Sequence, residues 1–383
     1  MTLGRKINCP LCFERIAVSQ IGFRCEAPSC VGKPTLFRAA NSISLLEKIG
    51  LVASPKRYLH SCGDYATARI CPKCKQEIPT SVDDLSDMSI AIIGAKDSGK
   101  SHYVAMLINW IKRMGSEFGW VLSPLTEDTI TRYNKDFYDP LFVHHVQIDT
   151  TRAIHDAAHA RPLIYSLQLG HGILSRKIML VFFDAAGENL EKESELWYIN
   201  RYISNASGII CLLDPLQLDR VRDGLIARYG AGSLPVRNGD TGSIINRVER
   251  LIRKRKDVSS GKIKIPLAVA FSKMDFVRDA GGNAANVCEE LFRETRHRGG
   301  FNESEFQNID GLMRSWVQDV DATADILMQS GSFSKNAFFG FSALGCNPKG
   351  NGGRLDHDPR SFRVEDPFLW LLRQRRLVKK MKG

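Results

Sequence analysis

Residues 89–111 read SIAIIGAKDSGKSHYVAMLINWI. The first five form a short apolar run of the buried-strand kind, and from 103 to 111 the apolar residues recur at helical spacing. Between them stands Gly94-Ala95-Lys96-Asp97-Ser98-Gly99-Lys100-Ser101, the phosphate-binding pattern GxxxxGKS in the setting it requires, strand before and helix after. Glycine lets the backbone wrap a phosphate, so that successive N–H groups and the helix N-terminus face negative charge. Lys100 would bridge the terminal phosphates and the Ser101 hydroxyl would ligate Mg²⁺. Gly94, Lys96, Asp97, Ser98, Gly99 and His102 complete the expected nucleotide-contacting set around this loop.

Outward from the loop, more apolar runs end in polar groups. KIMLVFF (177–183) leads into Asp184-Ala-Ala-Gly187-Glu188, and GIICLL (208–213) into Asp214-Pro215. PLAVAF (266–271) leads into Ser272-Lys273-Met274-Asp275, and AFFGF (337–341) into Ser342-Ala343-Leu344. One more strand is expected at 161–167, RPLIYSL. The candidate groups sit at strand carboxyl ends, where open α/β sheets bind ligands. Asp184 suits the Mg²⁺ side of such a site, and the Gly187 N–H could sense a γ-phosphate.

GAKDSGKS, DAAG, SKMD and SAL, in this order over about 260 residues, resemble the GTPase family of P-loop proteins. The resemblance implies a Ras-like α/β fold with a mostly parallel sheet, binding GTP or GDP with Mg²⁺. It places Lys273 over the guanine, Asp275 on the ring N–H and amino group, and the Ala343 backbone N–H beside Ser342 on the guanine oxygen. Ser272 stands where the family carries Asn or Thr. Glu188 follows Gly187 where many small GTPases have the glutamine that orients water, so Lys100 and Glu188 are the expected catalytic residues. Thr150 and Thr151 are the nearest candidates for the threonine that contacts Mg²⁺ and the γ-phosphate. The 82 residues between Ser101 and Asp184 exceed what a minimal GTPase needs and suggest an enlarged switch region for a partner. His155 and His159, at i and i+4, lack the glutamate of a metalloprotease signature and read as ordinary helix-face residues.

Seven of the ten cysteines fall in the first 74 residues. They read Cys9-Pro-Leu-Cys12, Cys25, Cys30, His60-Ser-Cys62 and Cys71-Pro-Lys-Cys74. Short-spaced pairs in a chain with no readable secretion signal indicate metal ligands rather than disulfides. With His60 the ligands number eight, enough for two tetrahedral Zn²⁺ ions. Two pairings are open: Cys9, Cys12, Cys25 and Cys30 on one ion with His60, Cys62, Cys71 and Cys74 on the other, or a crossed set joining the two Cys-Pro-x-Cys turns.

The remaining composition bounds the class. With 383 residues, 43% hydrophobic and 25% charged, the chain is globular in composition, and no run approaches the roughly 18 apolar residues of a membrane span. Its opening, MTLGRKINCP, has no apolar core of a signal peptide, so a cytoplasmic location is expected. The net charge of +11 gathers at 247–264 and from Arg373 onward. Without interleaved aromatics, these runs read as a solvated helix face and a basic tail more readily than as a nucleic-acid surface.

CPLCFE, the Phe23-Arg24-Cys25 step, CPKC before the loop, DAAGE, LLDP and VEDPFLWLL are similar to zinc-ribbon-bearing bacterial double-GTPase-like proteins of conflict and antiviral defence clusters. This implies a regulatory GTPase, a hydrolase slow unless stimulated, with protein partners in a multi-component system and nucleotide-dependent self-association as a possible mode. The expected organisation is a zinc-binding, zinc-ribbon-like module at 1–80, a linker at 81–88, and a P-loop GTPase domain at 89–383. That domain would close with a helix capped by Asp366 and started by Pro367. The alternative is a non-hydrolysing nucleotide-binding scaffold that contacts nucleic acid or protein through the zinc module and basic tail. An ATPase is a third reading.

Overall fold

The computed structural model describes residues 5–28, 30, 35–39, 42–48, 55–148, 161–172, 175–183, 193–230, 241–256, 260–280, 285–321, 323–349 and 353–381. Among these, the central feature is a seven-stranded sheet. Its strands are β1 (Ser86–Gly94), β2 (Trp120–Pro124), β3 (Leu163–Leu169), β4 (Arg176–Phe182), β5 (Gly208–Leu213), β6 (Leu267–Phe271) and β7 (Asn336–Gly340). The spatial order is β2-β3-β4-β1-β5-β6-β7. β4, β1, β5, β6 and β7 run parallel, whereas β2 and β3 are antiparallel to their neighbours.

The apolar runs follow from burial on both faces, which parallel sheets covered by helices require. In β1, Met88, Ile90 and Ile92 enter one core cluster, while Ala91 and Ile93 enter the other. The first cluster also holds Leu107 and Ile111 of the helix Lys100–Phe118 and Leu369 and Leu372 of the helix Asp366–Gln374. The second holds Ile199, Tyr202 and Ile203 of the helix Glu193–Ser204 and Ile245 and Val248 of the helix Thr241–Lys256. Ile7, Cys9, Cys12, Phe13 and Cys71 of the N-terminal stretch belong to that same second cluster.

Three sequence expectations are corrected. The sheet has seven strands, because β2 adds an edge strand at the start of the long interval after Ser101. The helix Lys100–Phe118 stops at Gly119, whose φ of 68° is open to glycine, and the chain doubles back to pair Trp120 with Leu169. Residues 161–167 supply β3 two residues later than expected, at Leu163–Leu169. Asp366 does not cap the last helix; Glu365 holds that position without a side-chain cap, and Asp366 instead binds the buried Arg363 guanidinium at 3.0 Å. Glu305 pairs with Arg363 from the other side at 3.0 Å, since a buried cation left unpaired is costly.

Residues 81–88 are well packed. Val82 and Leu85 are buried, Asp83 pairs with the buried Arg69 at 2.6 Å, and Arg5 donates to the Asp83 and Leu85 carbonyls. The first three residues of β1 come from this stretch. Among the described residues, the strands of the N-terminal stretch are two or three residues long, including Gly22–Arg24, Ala68–Ile70 and Glu77–Ile78.

Candidate functional site

The phosphate loop links β1 to the helix Lys100–Phe118. Gly99 adopts a φ of +84° and Asp97 one of +59°, so the loop turns through two left-handed residues. A Cβ on Gly94 would stand 2.4 Å from Ser98 Oγ and 2.6 Å from the Leu212 carbonyl, which leaves room for glycine alone. Ser98 Oγ is buried with no hydrogen-bond partner among the described residues. Lys100 Nζ donates to the Gly94 and Ala95 carbonyls at 3.2 and 2.8 Å. A buried ammonium, an orphaned hydroxyl and a helix N-terminus around one loop fit an anionic group.

The ends of β6 and β7 lie at the same edge of the sheet, where a Cβ on Gly99 would stand 3.9 Å from Ser272 Cβ. Lys273, in a left-handed conformation with φ 53°, extends its ammonium to the buried Asp214 carboxylate at the end of β5, 2.8 Å away. Asp214 also accepts from the Leu216 N–H at 3.0 Å, which holds its carboxylate. Asp275 is buried; desolvation raises its pKa above the usual carboxylate range, and a hydrogen bond with the Ser342 side chain opposes that rise. Ser342 Oγ in turn accepts from the Gly345 N–H at 2.9 Å, and Ala343 follows it half-buried. Ser272 Oγ donates to the Leu213 carbonyl at 3.3 Å. Its shorter side chain is thus engaged with the β5 backbone.

His102 accepts a hydrogen bond at Nε2 from the Ile148 N–H, 3.1 Å away. Desolvation, with the Lys273 charge second, pushes its imidazole down to about 4, so the ring is neutral and free to accept. The side chain therefore ties the loop helix to the segment just before Thr150 and Thr151. Those threonines, with His155, His159, Asp184, Gly187 and Glu188, lie outside the described residues.

The cysteines assemble into two groups. The ligand atoms of Cys9, Cys12, Cys71 and Cys74 lie within 4.8 Å of one another, as do those of Cys25, Cys30, His60 and Cys62. The geometry is thus the crossed one. Cys12 and Cys71 sulfurs are 3.9 Å apart and those of Cys25 and Cys62 are 3.7 Å apart. Both approach the roughly 3.8 Å edge of a tetrahedron with Zn–S bonds of about 2.3 Å. His60 Nδ1 stands 3.6 Å from Cys30 Sγ and 3.1 Å from Cys62 Sγ. The two Cys-Pro-x-Cys turns repeat one geometry: Phe13 N bonds to the Cys9 carbonyl and Lys75 N to the Cys71 carbonyl, with φ of 55° and 63° at these two residues. Mutual hydrogen bonding raises the Cys9 and Cys12 thiols and lowers Cys71 and Cys74, with Cys12 the leading partner of Cys9, Cys71 and Cys74. Such crowded sulfurs suit a shared soft cation.

A family model for Double-GTPase 2 matches residues 88–329. The chain belongs to the Double-GTPase 2 family. The match opens within β1 and takes in the loop, Lys273 and Asp275. The Ser342 loop and both cysteine groups lie beyond the Double-GTPase 2 match. A Mycolicibacterium smegmatis protein named for ESX-1 scaffolding and assembly, SaeC, is 28% identical over 317 residues, covering 79% of this chain and 78% of its own length. Among solved structures, the Arl6 BBS3 small GTPase of Trypanosoma brucei, with a bound nucleotide analogue, aligns over 76% of this chain and 97% of its own at 12% identity, TM-score 0.29. The GTP-bound Ski7 GTPase-like domain of S. cerevisiae aligns over 78% of this chain and 51% of its own at 11% identity, TM-score 0.34.

Two residues escaped the sequence reading as site components. Asp214 was visible as an acid ending a strand, but only the sheet order brings β5 beside β6 and so beside Lys273. Phe13, just after the first cysteine turn, packs on the rings of Phe183 and Tyr202. No helix among the described residues is long and apolar enough to cross a membrane.

Proposed function

We propose that this Double-GTPase 2 member is a Mg²⁺-dependent GTP-binding switch with slow intrinsic hydrolysis, organised as a zinc-binding module at 1–80, a connecting stretch at 81–88 and a GTPase domain at 89–383. The observation that carries the reading is that the loop of Gly94 to Ser101 leaves the carboxyl end of β1 while Lys273, Asp275 and Ser342 follow the carboxyl ends of β6 and β7, at the same edge of the parallel strands β1-β5-β6-β7. Lys100 and the loop N–H groups hold the phosphates, Ser101 and Asp184 hold Mg²⁺, and Asp275 reads guanine. The bound Mg²⁺ supplies charge neutralisation between the phosphates. Cys9, Cys12, Cys71 and Cys74 hold one structural Zn²⁺, and Cys25, Cys30, His60 and Cys62 a second. A cytoplasmic role in a bacterial conflict or defence assembly fits this set. A relative named for scaffolding and assembly supports protein partners and favours, as a second reading, a scaffold that binds nucleotide without turnover.

Single-turnover hydrolysis separates the two readings. A carboxylate at Glu188 can orient water but brings negative charge toward the γ-phosphate, so unaided turnover is slow. A partner or self-association accelerates it, and Glu188→Ala spares binding while lowering the stimulated rate. Wild-type rates in the variant under every condition, across a protein concentration series, reduce Glu188 to a helix-terminal acid. Absence of turnover in every condition supports the scaffold.

Asp275 gives a selectivity test. An ionised carboxylate accepts two hydrogen bonds from guanine, while adenine presents an acceptor at N1. Asp275→Asn loses one charge-assisted bond, so the GTP-over-ATP preference falls about 10–100-fold in competition against a fluorescent nucleotide. The nucleotide-free protein responds with the opposite sign. Because burial raises the Asp275 pKa above 3.8, the fold is penalised as pH rises through that raised value, and the amide removes the penalty. Nucleotide-free Asp275→Asn therefore melts at or above wild type at pH 8, with the difference vanishing toward pH 4.

A further inference from the structure

Phe13 directly follows the Cys9-Pro-Leu-Cys12 turn and closes it, in a left-handed conformation with φ 55° and its N–H on the Cys9 carbonyl. The ring leaves the cysteine group and enters the core under the sheet. It stands 4.7 Å from the Tyr202 ring and 5.6 Å from that of Phe183, while Phe183 and Tyr202 are 5.3 Å apart. The Tyr202 hydroxyl spans two strands. It donates to the Ile90 carbonyl at 2.6 Å and accepts from the Ile92 N–H at 3.1 Å and the Phe183 N–H at 3.4 Å. Ile90 and Ile92 lead directly into Gly94 of the phosphate loop, and Phe183 immediately precedes Asp184 in sequence.

The turn is held down from both sides. Asn205 Nδ2 donates to the Phe13 carbonyl at 2.8 Å, and Asn8 Nδ2 donates to the Asn205 carbonyl at 2.7 Å. Glu14 pairs with Arg201 at 2.7 Å and Arg255 at 2.9 Å. A metal module that merely hung from the domain would need none of these contacts.

We propose that Phe13 is a positioning residue of the nucleotide site: the Cys9, Cys12, Cys71, Cys74 centre presses it onto Tyr202, whose hydroxyl clamps the strand ends that carry the phosphate loop and Phe183. The occupancy of that metal centre is thereby coupled to nucleotide affinity. This inference rests on the nucleotide-binding reading above. Packed aromatic contacts of this kind couple sites by about 2–30-fold in affinity.

The test titrates zinc-loaded, full-length protein with fluorescent GDP and GTPγS. Phe13→Ala keeps its zinc and loses affinity about 5–30-fold, more for GTPγS than for GDP, and Phe13→Leu restores most of it. Tyr202→Phe, which keeps the ring and deletes the clamp, loses about 2–10-fold. The double variant Phe13→Ala, Tyr202→Phe loses clearly less than the product of the two, since both act through one hydroxyl. Independent, multiplicative losses would mean two unrelated structural defects and overturn the proposal, as would wild-type affinity in zinc-replete Phe13→Ala. Should Phe13→Ala lose its zinc, Phe13→Gly, which deletes the ring and suits the φ of 55° in the turn, runs the same cycle with Tyr202→Phe. A wild-type protein that binds neither nucleotide overturns this inference and the nucleotide reading together, whereas normal wild-type binding with an uncoupled cycle overturns this inference alone.

Discussion

Removal of zinc by a strong chelator is expected to melt the N-terminal stretch in two separate steps. Among the described residues, the group of Cys25, Cys30, His60 and Cys62 adjoins a core cluster of Phe23, Cys25, Cys30 and Ala66, so two of these four buried members are themselves ligands. Its Cys62 is exposed to a chelator. The described strands there are two residues long at Thr35–Leu36, Tyr58–Leu59 and Tyr65–Ala66, so they do little to offset the cost of ordering the chain. A structural zinc site contributes on the order of 10 kcal/mol of folding free energy. The other group is different, because Cys9, Cys12 and Cys71 are buried in the core cluster that continues under the sheet. Freshly purified protein should therefore hold two zinc ions per chain and release one quickly and one slowly, followed with a colorimetric zinc indicator. Circular dichroism should lose a small component in the fast phase and a larger one in the slow phase. A stoichiometry near zero sinks the zinc reading, and a single fast phase for both ions would show that the docked turn gains nothing from its packing.

Lys100→Ala should abolish tight nucleotide binding while leaving the nucleotide-free fold in place. Lys100 is 7% exposed and its ammonium rests on the Gly94 and Ala95 carbonyls, so the charge is already held at the loop. Deleting one partner of a desolvated charge pair costs about 2–5 kcal/mol, which is a loss of about 30- to 4,000-fold in GTP affinity. The fold bears less of this, since Ala95, whose carbonyl is one of the two the lysine vacates, is only half-buried and is followed by the exposed Lys96 and Asp97. Isothermal titration with GTP and Mg²⁺, paired with a thermal melt of nucleotide-free protein, reads both quantities. An affinity within a few-fold of wild type would remove the loop from the phosphate site.

The loop, its flanking strand and helix, the strand-end motifs and the cysteine inventory were legible in the sequence because each is a local pattern. GxxxxGKS requires its glycines over eight residues, and parallel strands buried on both faces leave continuous apolar runs such as 208–213 and 267–271. What remained illegible depends on residues far apart in the chain. The short strand Trp120–Pro124 has no run to betray it and exists only because Leu163–Leu169 offers an edge. Residues 81–88 look like a polar connector until Arg69 and Arg5 reach them. Asp366, a plausible cap by type, is claimed by a buried guanidinium. Two-residue cysteine spacing dictates that thiolates can share an ion, but the choice of the crossed set, Cys9 and Cys12 with Cys71 and Cys74, came from the antiparallel sheet that pairs Gly22–Arg24 with Ala68–Ile70. Ligand pairing, the Asp214–Lys273 contact and the seating of Phe13 against Tyr202 are decided by tertiary packing, since the segments they join are separated by 30 residues or more.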